Sequence, residues 1–343
     1  MKFPPFARYD RTMKIAHEFL LDEDIIDFPI DPLAIIIKHN WGKITYTELA
    51  KKHCVSIAQV IRAYQSEDGA VDYNGTNYTI AYNDTIKSNG RINFTLMHEI
   101  GHIQLNHFVD FKKELSLQSS LTPEEYKILE NESNSFARNV LSPVTLVSEL
   151  DLNSKSDLMY HFEISKGAAD TRLKLFKLDS INLPIYYIYN QLKQFQDFMY
   201  STTHSNHCNL CGYFFVCETA KYCPVCGDSG LLKRGVRKMK YSGYVLDQNG
   251  RALICPRCEN EEIDYAGDIC KICGINLVNK CAATESYEGY SQSCENTVPG
   301  NARHCFKCGN ETTYLQSGLL KRWDDKTVKL ELVVASHIDD DPF

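Results

Sequence analysis

Long apolar runs are missing from this 343-residue chain: no stretch of 18 or more apolar residues occurs, which excludes a membrane-spanning helix. The first ten residues, Met1–Asp10, also lack the apolar h-region of a secretory signal, so export is not expected and a cytoplasmic setting, bacterial or phage, is. An excess of positive charge is absent as well. The net charge is −7, so no global basic field advertises nucleic-acid binding. Cysteine is nearly absent from the first 200 residues, where Cys54 stands alone, yet thirteen more crowd into residues 208–308. That asymmetry divides the chain into two parts with different chemistry.

In the cysteine-poor part, apolar positions Met13, Ala16, Phe19 and Leu20 recur at helical spacing over Tyr9–Leu21. A proline-bounded stretch leads into a second helix over Leu33–Lys38. Ile44–Tyr46 is β-prone, and short helices are expected over Thr47–Lys52 and Ser56–Tyr64. Two alternating runs, 69–73 and 76–83, flank Asn74-Gly75, whose tolerance of positive φ suits a tight hairpin turn. A long helix is expected from about Arg91 to Phe108. Another begins with Thr122 as N-cap and Pro123 in the first turn, and ends at Ser142-Pro143. Two or three short helices follow over 144–178, and the aromatic, polar segment 181–205 reads as a linker.

His98, Glu99 and His102 form an H-E-x-x-H motif inside the strongest of these helices. Side chains four apart share a helix face, so both imidazoles reach one ion. Zinc accepts neutral imidazole nitrogen and, with three protein ligands, keeps a fourth position for water. That water's pKa falls to about 7, and Glu99 is placed to take its proton. A third ligand belongs on a downstream helix, where Glu124, Glu125, Glu130 and Glu132 are the acidic candidates. Each of them alone is as readily a solvated helix face. Gly101 costs its helix up to about 1 kcal/mol relative to alanine, which suggests close packing beside the metal.

The stretch Arg91–His102 resembles the R-x-x-F-T-L-x-H-E-x-G-H signature of ImmA/IrrE metallopeptidases, and Glu132–Ala137 with Leu141–Pro143 resembles that family's E-x-N-x-F-A…L-x-P block. With the preceding strand Tyr78–Asn83, the likeness spans roughly residues 10–180. It implies that His98, His102 and Glu132 bind the catalytic zinc and that Glu99 catalyses, with Glu130 as the alternative ligand. His107 matches a histidine often found just past the motif. Tyr78, Tyr82 and His107 are candidates for contacting substrate or the oxyanion. Residues 157–175 resemble the family's helix-turn-helix-like segment, but Lys166, Arg172 and Lys174 are few basic side chains for a groove reader, so packing or substrate docking is the expectation. The resemblance also implies a narrow protein substrate, a DNA-binding helix-turn-helix repressor cut to release transcription. The competing expectation is a non-catalytic regulator that uses the same fold to grip a protein or DNA partner.

In the cysteine-rich part, Cys208/Cys211 with Cys223/Cys226 and Cys255/Cys258 with Cys270/Cys273 each pair two C-x-x-C knuckles eleven residues apart. Such pairs converge on one tetrahedral zinc in a reducing compartment. Cys281, Cys294, Cys305 and Cys308 make a looser third set, leaving Cys54 and Cys217 as spare, buried thiols. Two or three structural zinc ions are thus expected beside one catalytic ion. Gly230–Arg234 and Gly318–Arg322 repeat the same five residues. The run Lys233, Arg234, Arg237, Lys238 and Lys240, with Tyr241 and Tyr244 nearby, offers a nucleic-acid surface. The acidic residues of 259–264 and 339–341 argue for a solvated face and for protein recognition instead.

The whole reads as an α+β chain: a mostly helical zincin-like metallopeptidase domain with a small β-hairpin or sheet over 1–180, a linker over 181–205, and small β-rich zinc ribbons over 206–245, 246–278 and 279–343.

Overall fold

The computed structural model describes residues 3–111, 121–181, 183–233, 238–263, 267–287, 290–325, 327 and 330–333. The chain is α+β and separates into two compact units, Met1–Tyr200 and Ser201–Ala335. Among the described residues, no helix is long and apolar enough to cross a membrane.

The first unit opens with α1 (Tyr9–Asp22) and α2 (Pro32–Lys38), followed by β1 (Gly42–Thr45), α3 (Tyr46–His53) and α4 (Ile57–Tyr64). The hairpin strands are β2 (Gly69–Tyr73) and β3 (Tyr78–Tyr82). Then come α5 (Asn89–Gln104), α6 (His107–Phe111), α7 (Pro123–Leu141), α8 (Val144–Glu149), α9 (Lys155–Phe162), α10 (Lys166–Ile181), α11 (Ile185–Gln194) and α12 (Gln196–His204). Side-chain caps punctuate them as the residue types demand. Asp31 accepts from the first amides of α2, and Thr45, Ser56 and Thr122 each close a capping box with Glu48, Gln59 and Glu125.

The sheet has the order β1-β3-β2, with β1 parallel to β3 and β2 antiparallel to it. β2 therefore lies at an edge. The central pair α5 and α7 packs with α1 around a core that includes Leu96, Met97, Ile100, Phe136 and Val140, all fully buried. Gly101 sits where α5 meets α7. A Cβ there would lie 3.0 Å from Phe136 Cδ1 and 3.2 Å from Ser133 Oγ, so the close-packing reading of this glycine holds.

Two expectations change. The helix over 91–108 ends at Gln104, because Asn106 takes a left-handed conformation (φ 54°) and the chain restarts at His107. Segment 181–205 is no linker, since it forms α11 and α12. Phe195 and Phe198 are buried there, their rings 5.2 Å from that of Phe28 in the core of the first unit. In the helix-turn-helix-like segment, Leu158, Phe162, Ile164 and Ala169 join that core. Arg172 is fully buried, with its guanidinium donating to Asp179, Asn139 Oδ1, Ser142 Oγ and the Arg138 carbonyl. Lys174 pairs with Asp170. The segment's arginine is thus committed to packing, as the scarcity of basic side chains suggested.

The second unit is built of short strands and turns held around sulfur. Ser205–Cys208 pairs with Phe214–Val216 and with Leu231–Leu232, and its three small cores each centre on cysteines. Cores this small bury little apolar surface, so a bound ion must supply much of the folding energy.

Candidate metal centre

α5 presents His98 and His102 one turn apart, and α7 brings Glu130 against them. His102 Nε2 lies 3.1 Å from His98 Nε2. Glu130 Oε2 is 3.2 Å from His98 Nε2, and Oε1 is 3.3 Å from His102 Nε2. Tetrahedral zinc with ligands at 2.0–2.2 Å places neighbouring ligand atoms about 3.3 Å apart. The donor set and its spacing therefore fit a divalent ion of the zinc type. Burial lowers the pKa of His98, but the Glu130 carboxylate outweighs burial and raises it to about 9. Burial likewise raises the carboxyl of Glu130, and the two histidines override it and hold it well below its ordinary range. A cation bound among these groups would take over the role of the imidazole proton.

Glu130, not Glu132, completes the group, which corrects the ligand set implied by the family resemblance. Two residues along an α-helix turn the side chain by about 200°. Glu132, completely buried, faces elsewhere: its Oε1 accepts from Arg8 Nε (2.8 Å) and from the Arg8 backbone amide (2.7 Å), and its Oε2 accepts from Arg8 Nη2 (2.8 Å). Glu132 Oε2 also meets His107 Nε2 at 3.1 Å. Burial raises the Glu132 carboxyl, but these hydrogen bonds bring it down to about 2. Glu124 and Glu125 belong to the first turn of α7, Glu125 in the capping box.

Around the histidines the support is specific. His98 Nδ1 donates to Asn134 Oδ1 at 3.0 Å, so a cation that replaces the imidazole proton would meet the lone pair of Nε2 beside Glu130 and His102. Asn134 and Tyr126 stand one turn after and before Glu130, on the same stripe of α7. Behind His102, the His107 ring is completely buried, its Nδ1 3.0 Å from His102 Nδ1. Burial pushes the pKa of His107 down to about 4.

Glu99 lies beside the group on α5, 7% exposed, with its carboxylate hydrogen-bonded to the Val71 backbone on β2. Burial raises its pKa, and His98 and His102 pull in the opposite direction. A cavity of about 220 Å³ opens here, lined among others by Gly69, Val71, His98, Glu99, Tyr126 and Glu130. Its floor is α5, one wall is edge strand β2, and the opposite wall is α7. Arg91, the first residue of the signature stretch, pairs with Asp68 at 2.8 Å, just before that strand.

None of the three candidates for contacting substrate lines this cavity. Tyr78 packs its ring on Tyr73 and Phe108, Tyr82 is absent from the lining, and His107 is sealed behind His102. The tyrosines that do line it are Tyr64, whose hydroxyl donates to Asp72 Oδ2, and Tyr126. The signal was present in the four-residue spacing of Tyr126, Glu130 and Asn134.

In the second unit, the cysteines converge in the expected groups. Cys208 and Cys226 approach to 3.4 Å, and Cys211 and Cys223 to 3.6 Å. Cys255–Cys273 and Cys258–Cys270 are 3.5 and 3.8 Å apart. The looser set closes too, with Cys281–Cys308 at 3.4 Å and Cys294–Cys305 at 3.9 Å. Tetrahedral zinc at about 2.3 Å from sulfur asks for separations near 3.8 Å. Four cysteine ligands would leave an ion bound in any of these groups no open position, the pattern of a structural rather than a catalytic centre. Cys54 is exposed and Cys217 half-buried, correcting the reading of both as buried thiols. Of the basic run, residues 234–237 lie outside the described residues, as do 339–341 of the acidic tail. Lys233 is bonded to Asn206, and both tyrosines are spent on backbone carbonyls: Tyr241 on Cys211, Tyr244 on Leu319.

Two histidines and a glutamate across a helix pair, with a second glutamate in the motif and an edge strand above, define a metallopeptidase-type domain. Residues 57–174 match the peptidase family model described as the IrrE N-terminal-like domain, so the likeness read from the motifs holds over that segment. No curated protein matches the chain.

Proposed function

We propose that the first unit is a zinc-dependent, site-specific endopeptidase. The observation that carries this reading is the convergence of His98, His102 and Glu130 in a cavity shared with Glu99 and roofed by an edge strand. When bound there, zinc supplies a Lewis acid that polarises the peptide carbonyl and acidifies water. Glu99 takes the proton of the attacking water and passes it to the leaving amine. β2 offers main-chain hydrogen bonds to an extended substrate segment, which aligns the scissile bond along the cavity. Tyr126, on the metal-facing stripe of α7, is the hydroxyl we assign to the substrate carbonyl.

The substrate we propose is a DNA-binding repressor, a reading supported by the ImmA/IrrE-like signature. The ribbons, each saturated by four thiolates in this account, serve as a recognition module with one zinc ion apiece. Protein contact is favoured over nucleic acid by Leu253, Ile254, Ile269 and Ile272, all exposed near the second cysteine group, and by the engagement of Tyr241 and Tyr244 in internal hydrogen bonds. The setting is cytoplasmic.

The test compares new protein N-termini in host cells that express wild type or Glu99→Gln. A single cut in a DNA-binding regulator, absent with Glu99→Gln while its zinc content is unchanged, is the expected result. A biological effect shared by both proteins, with no cut that depends on Glu99, would assign the chain to regulators that bind without cleaving.

A further inference from the structure

The side chains behind His102 form one continuous chain of hydrogen bonds that starts outside the segment matching the peptidase family. Arg8 lies in the N-terminal arm, ahead of α1. Its guanidinium grips both oxygens of Glu132, at 2.8 Å each, and its backbone amide adds a third bond. Glu132 so held is a carboxylate and can only accept. His107 must then donate from Nε2, across 3.1 Å. A neutral imidazole that donates from Nε2 accepts at Nδ1, so the 3.0 Å contact between the two Nδ1 atoms carries the proton of His102. His102 is left with a lone pair on Nε2, the atom that faces His98 and Glu130.

With a cation held at His102 Nε2, which faces Glu130 Oε1 at 3.3 Å, every link in that series has one direction consistent with the others. Reversing it would place a proton on His102 Nε2, where a cation must bind. The arm is also anchored where the series passes. Phe3 packs on Phe111 with ring centroids 4.6 Å apart, and Arg8 lies 5.7 Å above the same ring. Arg11 donates to the Leu105 carbonyl at the end of α5 and pairs with Asp110 of α6, bracing the turn that delivers His107.

We propose that the N-terminal arm is a working part of the metal centre: Arg8, through Glu132 and His107, is a positioning residue that sets the tautomer of His102. The proposal rests on the metallopeptidase reading of the site and adds a residue that touches neither metal nor substrate. Outer partners of this kind typically change metal affinity 10- to 100-fold.

The experiment titrates the full-length zinc-loaded protein with a competing chelator, following the ion whose retention depends on His102. Arg8→Gln and His107→Phe should each weaken that ion about 10- to 100-fold, Arg8→Lys should lose less, and the ribbon ions should be held as before. The double variant should lose no more than the worse single one, because both break the same series. Additive losses, which a merely structural arm would produce, overturn the proposal. So does unchanged affinity in Arg8→Gln, whose side chain is partly exposed and whose folding is checked by thermal melting. If His107→Phe does not fold, Arg8→Gln against Arg8→Lys decides alone. The His102→Ala control separates the two readings: if wild type holds no ion that this change removes, the metal centre itself is absent.

Discussion

Glu130 and Glu132 stand two residues apart on α7 and serve different partners, Glu130 the Nε2 atoms of His98 and His102, Glu132 the guanidinium of Arg8 and the ring of His107. The helix separates what a motif alignment runs together. Their substitutions should therefore differ in kind. Glu130→Gln is expected to remove one equivalent of metal per chain and all peptidase activity. Glu132→Gln should retain the ion at reduced affinity, since a second-layer partner orients a ligand and does not replace it. Metal content by atomic emission after gel filtration distinguishes them, and equal metal loss in both variants would contradict this assignment.

The contact between Gly101 and Phe136 argues a second outcome. Alanine at 101 would gain about 1 kcal/mol of helix propensity. Its Cβ would lie 3.0 Å from a ring carbon of Phe136, which is fully buried and cannot yield without moving α7. Overpacking of that kind costs about 1–3 kcal/mol. Gly101→Ala is thus expected to be destabilising by about 1 kcal/mol net, and to loosen metal binding by spreading the two helices that carry the ligands. Urea denaturation with the metal retained tests the sign.

Asp179 pairs with two buried arginines at once. Arg138 Nε donates to it at 3.0 Å and Arg172 Nη1 at 2.7 Å, with Arg172 completely enclosed. Asp179→Asn keeps the shape and strips the charge, leaving two guanidiniums in a site that solvent does not reach. A cost of about 3 kcal/mol or more is expected, read as a lowered unfolding midpoint of the first unit. A change within experimental error would mean that the arginines find other partners.

Much of this architecture was open to reading in the amino-acid order. The capping boxes at Thr45, Ser56 and Thr122 mark helix starts by local chemistry, and Asn74-Gly75 marks the hairpin, although only Gly75 takes a positive φ and the connection runs over four residues, 74–77, in place of the expected tight turn. What stayed hidden depends on partners far away in sequence. Nothing in the surroundings of Glu130 and Glu132 announces that Arg8 waits for one of them, 124 residues away. The stripe Tyr126–Glu130–Asn134 does carry the helical phase, but a motif read as consecutive letters conceals it. Phe195 and Phe198 looked like spacer residues because tyrosine and glutamine surround them, and only the pocket around Phe28 shows where they go. The break at Asn106 was equally silent, since a left-handed asparagine leaves no mark on apolar periodicity.

A pH dependence follows from Glu23, remote from the metal centre. Burial raises its carboxyl, but hydrogen bonds from Lys38 and His39 outweigh burial and lower its pKa below the ordinary value of 4.5. A carboxyl depressed in the folded state stabilises fully above its unfolded pKa, and that contribution fades as pH falls through the folded one. Glu23→Gln should therefore lower the melting temperature at pH 7 and matter progressively less in acid, below the ordinary carboxylate range. Parallel melting curves for the two proteins across the whole acid range would remove Glu23 from the account of acid stability.

Chelation should take the two units apart in sequence. The His98–His102–Glu130 group offers an ion three ligands and opens on a cavity, whereas each cysteine group offers four. A chelator reaches the open centre first, so activity should disappear while unit structure persists. The first unit buries a full core of leucine, isoleucine and phenylalanine and should then keep its helical circular dichroism. The second has little to fall back on: around the first cysteine group, among the described residues, only Val225 and Tyr241 join three cysteines in the buried cluster. For zinc modules of this size the metal contributes about 10 kcal/mol or more per site, which exceeds anything so small a core supplies. Stronger chelation should thus unfold residues 201–335 selectively, seen as loss of protease resistance confined to that part. If both parts became protease-sensitive together with the first ion released, the helical core would itself depend on the metal, contrary to the packing of α1, α5 and α7 described above.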